Sequence, residues 1–213
     1  MHADDGSRYY NDSYNFVVYG GSGSSWGNHK LNIGNWFVYP EHQSDLDALD
    51  RDMLSRDPHL PVPLKSRPSG TTHLEVYPGL CGNLVNTDVQ QFSGVGERWE
   101  GNTCVTMSGG PPLELECDEE GHSVMLATSR NTYRTPHANA LVFGCHAGAT
   151  AEPNQTRTPP PNSTAVPLGV WQTYKNWDGT PREGGSRVLG IPTDAEIIEA
   201  AHELLHFGSW KGQ

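Results

Sequence analysis

Basic residues are scarce in this chain, and their scarcity excludes one large class of partners. Among 213 residues, lysine and arginine number 14 against 25 aspartates and glutamates, which leaves a formal net charge of −11. The densest basic stretch is only Lys65-Ser66-Arg67. Because phosphate backbones and anionic lipid surfaces are bound by clustered positive charge, we expect neither nucleic acid nor an anionic membrane surface as a partner.

Long hydrophobic runs are also missing. No apolar stretch approaches the roughly 18 residues that a membrane-spanning helix needs, so we expect no membrane insertion. Hydrophobic residues make up 35% of the chain, which reaches the globular range only when the 24 glycines are counted with them. Together with 16 prolines, these glycines predict many turns and few long helices.

Several motifs that mark familiar chemistries do not occur. There is no Gly-x-Ser-x-Gly elbow, no Walker loop and no dinucleotide fingerprint, and Gly20-Gly21-Ser22-Gly23 lacks the helix that phosphate loops need. None of the four cysteines forms a Cys-x-x-Cys pair, so we expect no zinc site. We expect no cofactor; calcium is a weak alternative at an acidic turn, where no Asp-x-Asp spacing supports it.

A short pattern recurs along the chain instead. Asn15-Phe16-Val17-Val18-Tyr19-Gly20 returns as Asn35-Trp36-Phe37-Val38-Tyr39-Pro40, and weaker copies begin at residues 73, 102 and 139. One short strand in each period of about 20 residues is typical of a solenoid. The gaps of 20, 38, 29 and 37 residues make the period ragged, as in β-helices with loops of variable length.

The repeat divides the chain into segments. We interpret residues 1–13 as an N-terminal segment, 14–146 as rungs with an insertion at 41–70, 147–167 as an exposed Pro-rich loop, and 168–213 as a terminal rung with a helix. Leucines and a methionine at helical spacing predict a short helix inside the insertion, over 45–56. Because the first copy begins by residue 15 with nothing to cap it, we expect upstream rungs of the same chain as a partner.

The C-terminal helix is predicted by the capping box Thr193-Asp194-Ala195-Glu196. Apolar residues follow at a spacing of 3.6 from Ile197 to Leu205, and Gly208 ends the helix. Since the open end of a solenoid exposes unpaired strands and a bare core, we expect this helix to serve as a terminal cap.

A distinctive stretch runs through Pro167-Leu168-Gly169-Val170-Trp171-Gln172 and is followed by Asp178-Gly179 and Gly185-Ser186. Together with the Asn-x-x-Val rungs, this stretch resembles the C-terminal end of secreted right-handed parallel β-helix (pectate-lyase-like) proteins. The resemblance covers 14–40 and 101–190 better than 41–100. It implies an all-β, right-handed parallel β-helix solenoid with long loop insertions and a C-terminal amphipathic helix, in which Trp171, Asp178 and Ser186 form a structural clasp.

The resemblance implies a polysaccharide or glycan as partner, in one of two roles. The chain either binds or processes acidic polysaccharide, as lyases, hydrolases and epimerases do, or serves as a noncatalytic adhesive or structural glycoprotein with a rigid scaffold. A uronate lyase needs a base and a cation that neutralises the sugar carboxylate. Catalytic candidates for these roles are Lys30, Asp118, Glu119, His122 and Arg130, and the alternative for each is a solvated surface position without a catalytic role.

Substrate-binding candidates are aromatic or basic residues near the rungs, namely Trp26, His29, Tyr133 and Arg134. Arg130 and Arg134 flank one short segment and would hold a sugar carboxylate by bidentate pairing. An aromatic platform for sugar stacking and simple core packing are both open for Tyr9, Tyr10, Tyr14, Trp26, Trp36 and Tyr39.

Asparagines recur at matching positions of the rungs: Asn15, Asn35, Asn102 and Asn139. Asparagines at matching turns of a solenoid stack as a ladder in which each side-chain amide bonds the next. Since such a ladder satisfies buried polar groups of the turns, we interpret all four as structural.

The cysteines and the glycosylation signals favour a secreted protein. Four cysteines, Cys81, Cys104, Cys117 and Cys145, allow three disulfide connectivities. Sequons at Asn11, Asn154 and Asn162 are candidate glycosylation sites, two of them in the Pro-rich loop. We therefore expect an oxidised protein that is extracellular or at the cell surface.

Overall fold

The computed structural model describes residues 2–3, 9–24, 29–42, 80–84, 96–117, 126–147 and 166–205. The described residues form mostly short strands, with two α-helices, α1 (Leu168–Trp171) and α2 (Asp194–Leu205), and a 3-10 turn at Pro40–His42. The strands are β1 (His2–Ala3), β2 (Asn11–Ser13), β3 (Phe16–Val18), β4 (Ser22–Ser24), β5 (Leu31–Ile33), β6 (Trp36–Val38), β7 (Gly82–Leu84), β8 (Glu97–Glu100), β9 (Thr103–Val105), β10 (Leu113–Cys117), β11 (Leu126–Ser129), β12 (Thr132–Arg134), β13 (Val142–Phe143), β14 (Cys145–Ala147), β15 (Val166–Pro167) and β16 (Arg187–Leu189).

Nearly all of these strands belong to three parallel sheets. The first sheet has the order β1-β4-β7-β10-β14, the second β11-β8-β5-β2 and the third β16-β12-β9-β6-β3. The chain therefore visits the three sheets in the same sequence on four successive passes, and each pass lies beside the previous one. A fifth, partial pass follows, in which β14 joins the first sheet and β16 joins the third. Only β13 and β15 pair antiparallel. The expectation of an all-β chain with parallel strands and little helix is confirmed.

A tight corner joins the second sheet to the third on every pass. Residues in the left-handed region of φ occupy it, and each stands directly before a polar residue: Tyr14, Gly34, Gly101, Arg130 and Gly185. Glycine adopts this conformation without steric cost, whereas Tyr14 and Arg130 adopt it against the clash of their Cβ atoms. Across the corner, a buried residue of the second sheet and a buried residue of the third sheet are five positions apart in sequence, as Trp99 and Cys104 are.

From the second corner onward, the polar residue after the corner bonds to the preceding pass. Asn102 Oδ1 accepts from the backbone N–H of Asn35 at 2.8 Å, and its Nδ2 donates to the carbonyl of Asn32 at 2.9 Å. The same pair of bonds runs from Asn35 to the first pass and from Asn131 to the third. All three asparagine side chains are buried, so the ladder satisfies backbone groups that water does not reach.

On the last pass the two ladder bonds are divided between two residues. Ser186 Oγ accepts from the N–H of Asn131 at 2.7 Å, and Asn176 Nδ2 donates to the carbonyl of Thr128 at 3.2 Å. A serine hydroxyl at this place is too short to reach both backbone groups, and Asn176 from a neighbouring turn supplies the second bond. The ladder thus has a distinct terminal step.

The prediction that Asn139 belongs to the asparagine ladder was wrong. Asn139 is exposed in a turn between β12 and β13, and Asn131 takes the place on the ladder. The strand after Asn139 pairs antiparallel with β15, because β16 occupies the position next to β12 in the third sheet. In Asn131-Thr132-Tyr133-Arg134 an arginine stands at the fourth place, where the repeated pattern has valine, and this hides the rung from a search for that pattern.

The interior is filled by aromatic rings and a disulfide. Phe37 stacks on Trp99 with ring centroids 5.2 Å apart, and Tyr133 meets Phe143 edge to face. A disulfide joins Cys81 to Cys104 within the same pass, between the first and third sheets. The backbones of Cys117 and Cys145 lie in β10 and β14, and their side chains lie outside the described part of the chain.

The C-terminal helix begins as predicted and packs at the edge of a sheet. Thr193 N–H donates to Glu196 Oε2 at 2.7 Å and Glu196 N–H donates to Thr193 Oγ1 at 3.3 Å, which confirms the capping box. The helix contacts β3, the edge strand of the third sheet, and none of its residues is fully buried. The interior beside the last pass is instead covered by the buried side chains of residues 168–186, here called the closing segment.

Three sequence-based expectations lie outside the described residues. They are the helix over 45–56, the copy of the pattern at 73–78 and most of the Pro-rich loop.

Replacing Asn102 with alanine tests the ladder. The substitution leaves the N–H of Asn35 and the carbonyl of Asn32 buried without partners, so we expect the free energy of unfolding to fall by about 3 kcal/mol. Asn139→Ala is the matched control, and because Asn139 is exposed it is expected to change stability by no more than about 0.5 kcal/mol. Denaturant unfolding of both variants measures the difference; equal effects would contradict the assignment of the ladder.

Removing the disulfide tests how much it contributes to the third pass. The bond joins cysteines 23 residues apart in sequence. For a loop of that size we expect the double variant Cys81→Ala, Cys104→Ala to lose about 3 kcal/mol of unfolding free energy. Thermal unfolding under oxidising conditions gives the comparison, and an unchanged midpoint would show that packing alone holds this pass.

Candidate functional site

The outer face of the second sheet carries a compact group of charges near its corner with the third sheet. Arg98 and Glu100 both point outward from β8, because Trp99 between them is buried and side chains alternate along a strand. Arg130 stands at the corner after β11, one pass further on, and Asp178 comes from the closing segment. We call Arg98, Glu100, Arg130 and Asp178 the charged surface.

Ion pairs link all four members of the charged surface. Arg98 Nη1 lies 2.9 Å from Glu100 Oε1, and its Nη2 lies 3.7 Å from Asp178 Oδ2. Arg130 Nη2 lies 2.6 Å from Glu100 Oε2. The arginine side chains remain 41% and 69% exposed, and each guanidinium has five N–H donors, more than these ion pairs use.

Asp178 is held in its ionised form. Partial burial by itself raises its pKa, but the hydroxyl and backbone N–H of Thr180, both donating to Oδ1, and the charge of Arg98 outweigh burial and lower the pKa. A carboxyl group with a lowered pKa is a poor general acid at neutral pH and a good hydrogen-bond acceptor. Asp178 therefore suits hydroxyl recognition better than proton donation.

A row of corner residues, here called the strip, runs from the exposed ring of Tyr14 through Gly34 and Gly101 to Arg130 of the charged surface. Tyr14 is 63% exposed at the corner of the first pass, and its ring covers the α-carbon of Gly34 so closely that a Cβ there would lie 2.7 Å from Cε1. Gly101 follows on the next pass with open space above it. From Tyr14 to Arg130 the strip spans three steps between strands, each of about 4.8 Å.

Such an arrangement can bind an anionic sugar polymer. A guanidinium pairs with a carboxylate through two hydrogen bonds, which fixes both position and orientation. An exposed tyrosine offers an apolar ring face with a polar tip, which suits the mixed surface of a sugar. Bare backbone between the two leaves room for a chain to lie along the corner.

Most of the predicted catalytic group is not brought together here. Arg130 belongs to the charged surface, but Lys30 is 1% exposed and its Nζ lies 3.9 Å from Glu97 Oε1 in a buried pair. A lysine in that position cannot neutralise a substrate at the surface. Asp118, Glu119 and His122 lie outside the described residues.

The predicted substrate-binding residues are dispersed. Tyr133 is 1% exposed within the core, so a sugar does not reach it, and the prediction for Tyr133 was wrong. Arg134 is half-buried at the end of β12. Hydrogen bonds from Thr193 are the main cause that lowers the pKa of Glu196 in α2, and the charge of Arg134 lowers it further. His29 is exposed and stacks on Tyr9 with ring centroids 5.1 Å apart. Trp26 lies outside the described residues.

The three residues named for a clasp have separate places. Trp171 is buried against the core and Ser186 ends the ladder, whereas Asp178 faces outward on the charged surface. Among the sequons, Asn11 is exposed on β2 and its side-chain oxygen accepts from Ser13 Oγ. Asn154 and Asn162 fall outside the described part of the chain.

Arg98 and Glu100 were missed at the sequence level. The signal was present in the alternation of Glu97-Arg98-Trp99-Glu100, in which a buried aromatic separates two charged residues. Because β8 lies directly before the Asn102 copy, outside the repeated pattern itself, the pattern does not mark it as a strand.

The described residues show neither a metal-binding group nor a membrane span. No cluster of three His, Cys, Asp or Glu side chains suited to an ion occurs among them. No helix in the same residues is long and apolar enough to cross a bilayer.

Comparison with known proteins gives no relative for this chain: no family model, no curated protein and no solved structure matches it.

Proposed function

We propose that this chain is an extracellular protein that binds or processes acidic polysaccharide on a right-handed parallel β-helix. The repeated visits to three parallel sheets and the ladder of asparagines support the solenoid part of the proposal. The right-handed sense is the one that connections between parallel strands in a sheet normally adopt.

The charged surface carries the functional part of the proposal. Tyr14 and Arg130 lie on one row of corner residues with the open position of Gly101 between them, and Arg98 extends outward from β8 beside this row. Each arginine is already oriented by a carboxylate, so little side-chain entropy is lost when a ligand binds. A polymer with a carboxylate on each sugar matches this spacing of charge and ring better than a neutral polymer does.

The extracellular location is supported by two local features. Cys81 and Cys104 form a disulfide, and such bonds persist in oxidising compartments. The sequon at Asn11 is exposed on an edge strand, where a glycan has room.

The second candidate is a noncatalytic adhesive or structural glycoprotein. The burial of Lys30 against Glu97 favours it, because the cation predicted for catalysis is then part of the interior. In this case the charged surface binds polymer without changing it, and the ladder provides a rigid scaffold.

Binding to a polyuronate tests the proposal. We expect calorimetric binding to a uronate polymer and at least tenfold weaker binding to the same polymer after its carboxylates are reduced to alcohols. The double variant Arg98→Met, Arg130→Met should lose at least tenfold in affinity yet remain folded, because exposed ion pairs contribute no more than about 1 kcal/mol each. Arg187→Met, an exposed arginine on the third sheet, is the matched control and should bind as the parent does.

Equal binding of the reduced polymer, or of the double variant, would overturn the assignment of the charged surface. Processing is read separately, from the ultraviolet absorbance of unsaturated uronides and from new reducing ends. Binding with neither signal supports the noncatalytic candidate; either signal supports an enzyme.

A further inference from the structure

Glu183 places a carboxyl group inside the protein at the closing segment. Its side chain is completely buried, and its backbone adopts a left-handed φ of 50° in the turn before Ser186. The N–H of Glu183 donates to the carbonyl of Thr128 at 2.9 Å, and Gln172 Nε2 donates to the carbonyl of Glu183 at 2.8 Å. With the backbone held on both sides, the carboxyl group is directed into the core.

The carboxyl group has one strong hydrogen bond and no ion pair among the described residues. Asn131 Nδ2, at the end of the ladder, donates to Oε2 at 3.0 Å. Oε1 has no hydrogen-bond partner in the described part of the chain, and the same is true of the hydroxyl of Tyr133. The hydroxyl groups of Ser186, Tyr133 and Thr128 also face the carboxyl group; burial raises the pKa of Glu183 and outweighs the lowering effect of these groups and of Asn131.

The nearest cation is directed elsewhere. Arg182, the preceding residue, lies over the ring of Trp171 at 4.4 Å, and its Nε donates to the carbonyl of Lys175 at 3.0 Å. The titratable group facing Glu183 from β12 is Tyr133, which cannot supply positive charge. An ionised Glu183 would therefore have no counterion among the described residues, and a buried negative charge without one is strongly unfavourable.

A neutral carboxylic acid fits the same surroundings. Its carbonyl oxygen accepts from Asn131, and its O–H can donate to the hydroxyl oxygen of Tyr133, which leaves neither group without a partner. Burial is the largest cause that raises the pKa of both Glu183 and Tyr133, consistent with two groups that stay protonated together.

We propose that Glu183 is a proton-operated latch, which as a neutral acid holds the closing segment against the end of the core and loosens it on ionisation. The closing segment also carries Asp178, which pairs with Arg98. Release of the latch would withdraw Asp178 from the charged surface, so acidity would control that surface from within. The latch does not depend on what the surface binds.

The direction of the pH effect follows from the protons bound in each state. An acid whose pKa is higher in the folded than in the unfolded protein binds more protons when folded. Its contribution to stability is complete below the ordinary glutamate pKa of about 4.5 and is lost as pH rises to the folded value. The closing segment should therefore be tightest in acid and loosest in base.

Hydrogen exchange of the closing segment tests the latch in the whole protein. With rates corrected for the intrinsic effect of pH, we expect protection of 172–186 to fall at least tenfold from about pH 5 to about pH 8, while β9 changes little. In Glu183→Gln, a neutral amide of the same shape, protection should no longer depend on pH. Glu199→Gln, an exposed carboxylate on α2, is the control and should behave as the parent does.

Two results would overturn the latch. One is protection of the closing segment that does not vary with pH in the parent; the other is protection in Glu183→Gln that still varies with pH as it does in the parent. If Glu183→Gln does not fold, infrared spectra of the parent decide. The carbonyl stretch of a protonated carboxylic acid should persist well above the ordinary glutamate pKa, and its disappearance near that pKa would refute the proposal.

Discussion

The bond that the fold depends on is the one between an asparagine side chain and the backbone of the preceding pass. Sheets made of three-residue strands contain few hydrogen bonds per strand, and the corners between them leave backbone groups that the sheets do not pair. The amide of asparagine has both an acceptor and a donor, so one side chain satisfies the N–H at the corner and the carbonyl three residues earlier. An ionised carboxylate lacks the donor, and the hydroxyl of Ser186 makes only the first of the two bonds.

That constraint positions the charged surface. Because the ladder residue points inward at every pass, the left-handed residue before it is directed outward, and the corner becomes a straight row on the exterior. Tyr14, Gly101 and Arg130 occupy that row, so an aromatic ring, bare backbone and a cation are aligned by the same geometry that buries the asparagines. The interior hydrogen bonds therefore fix the place of Arg130, the member of the charged surface that lies on this row.

The interior contains several ionisable side chains. Lys30 and Glu97 are buried as a pair, Arg182 lies over Trp171, and Glu183 is enclosed at the closing segment. Burying these groups is unfavourable unless each is hydrogen-bonded or neutral. For Glu183 the protonated form meets that condition, which links the closure of the last pass to acidity.

The sequence by itself determined the local chemistry of the chain: short parallel strands, asparagine at the corners and the capping box of α2. Each of these depends on residues a few positions apart, and their conformational preferences can be read directly. Only the tertiary structure decided that Asn131 and not Asn139 continues the ladder, that Lys30 is buried, and that Arg98, Glu100, Arg130 and Asp178 meet. Those contacts join residues of different passes, separated by connections of variable length, and the register between passes is set by sheet pairing and packing that no single segment specifies.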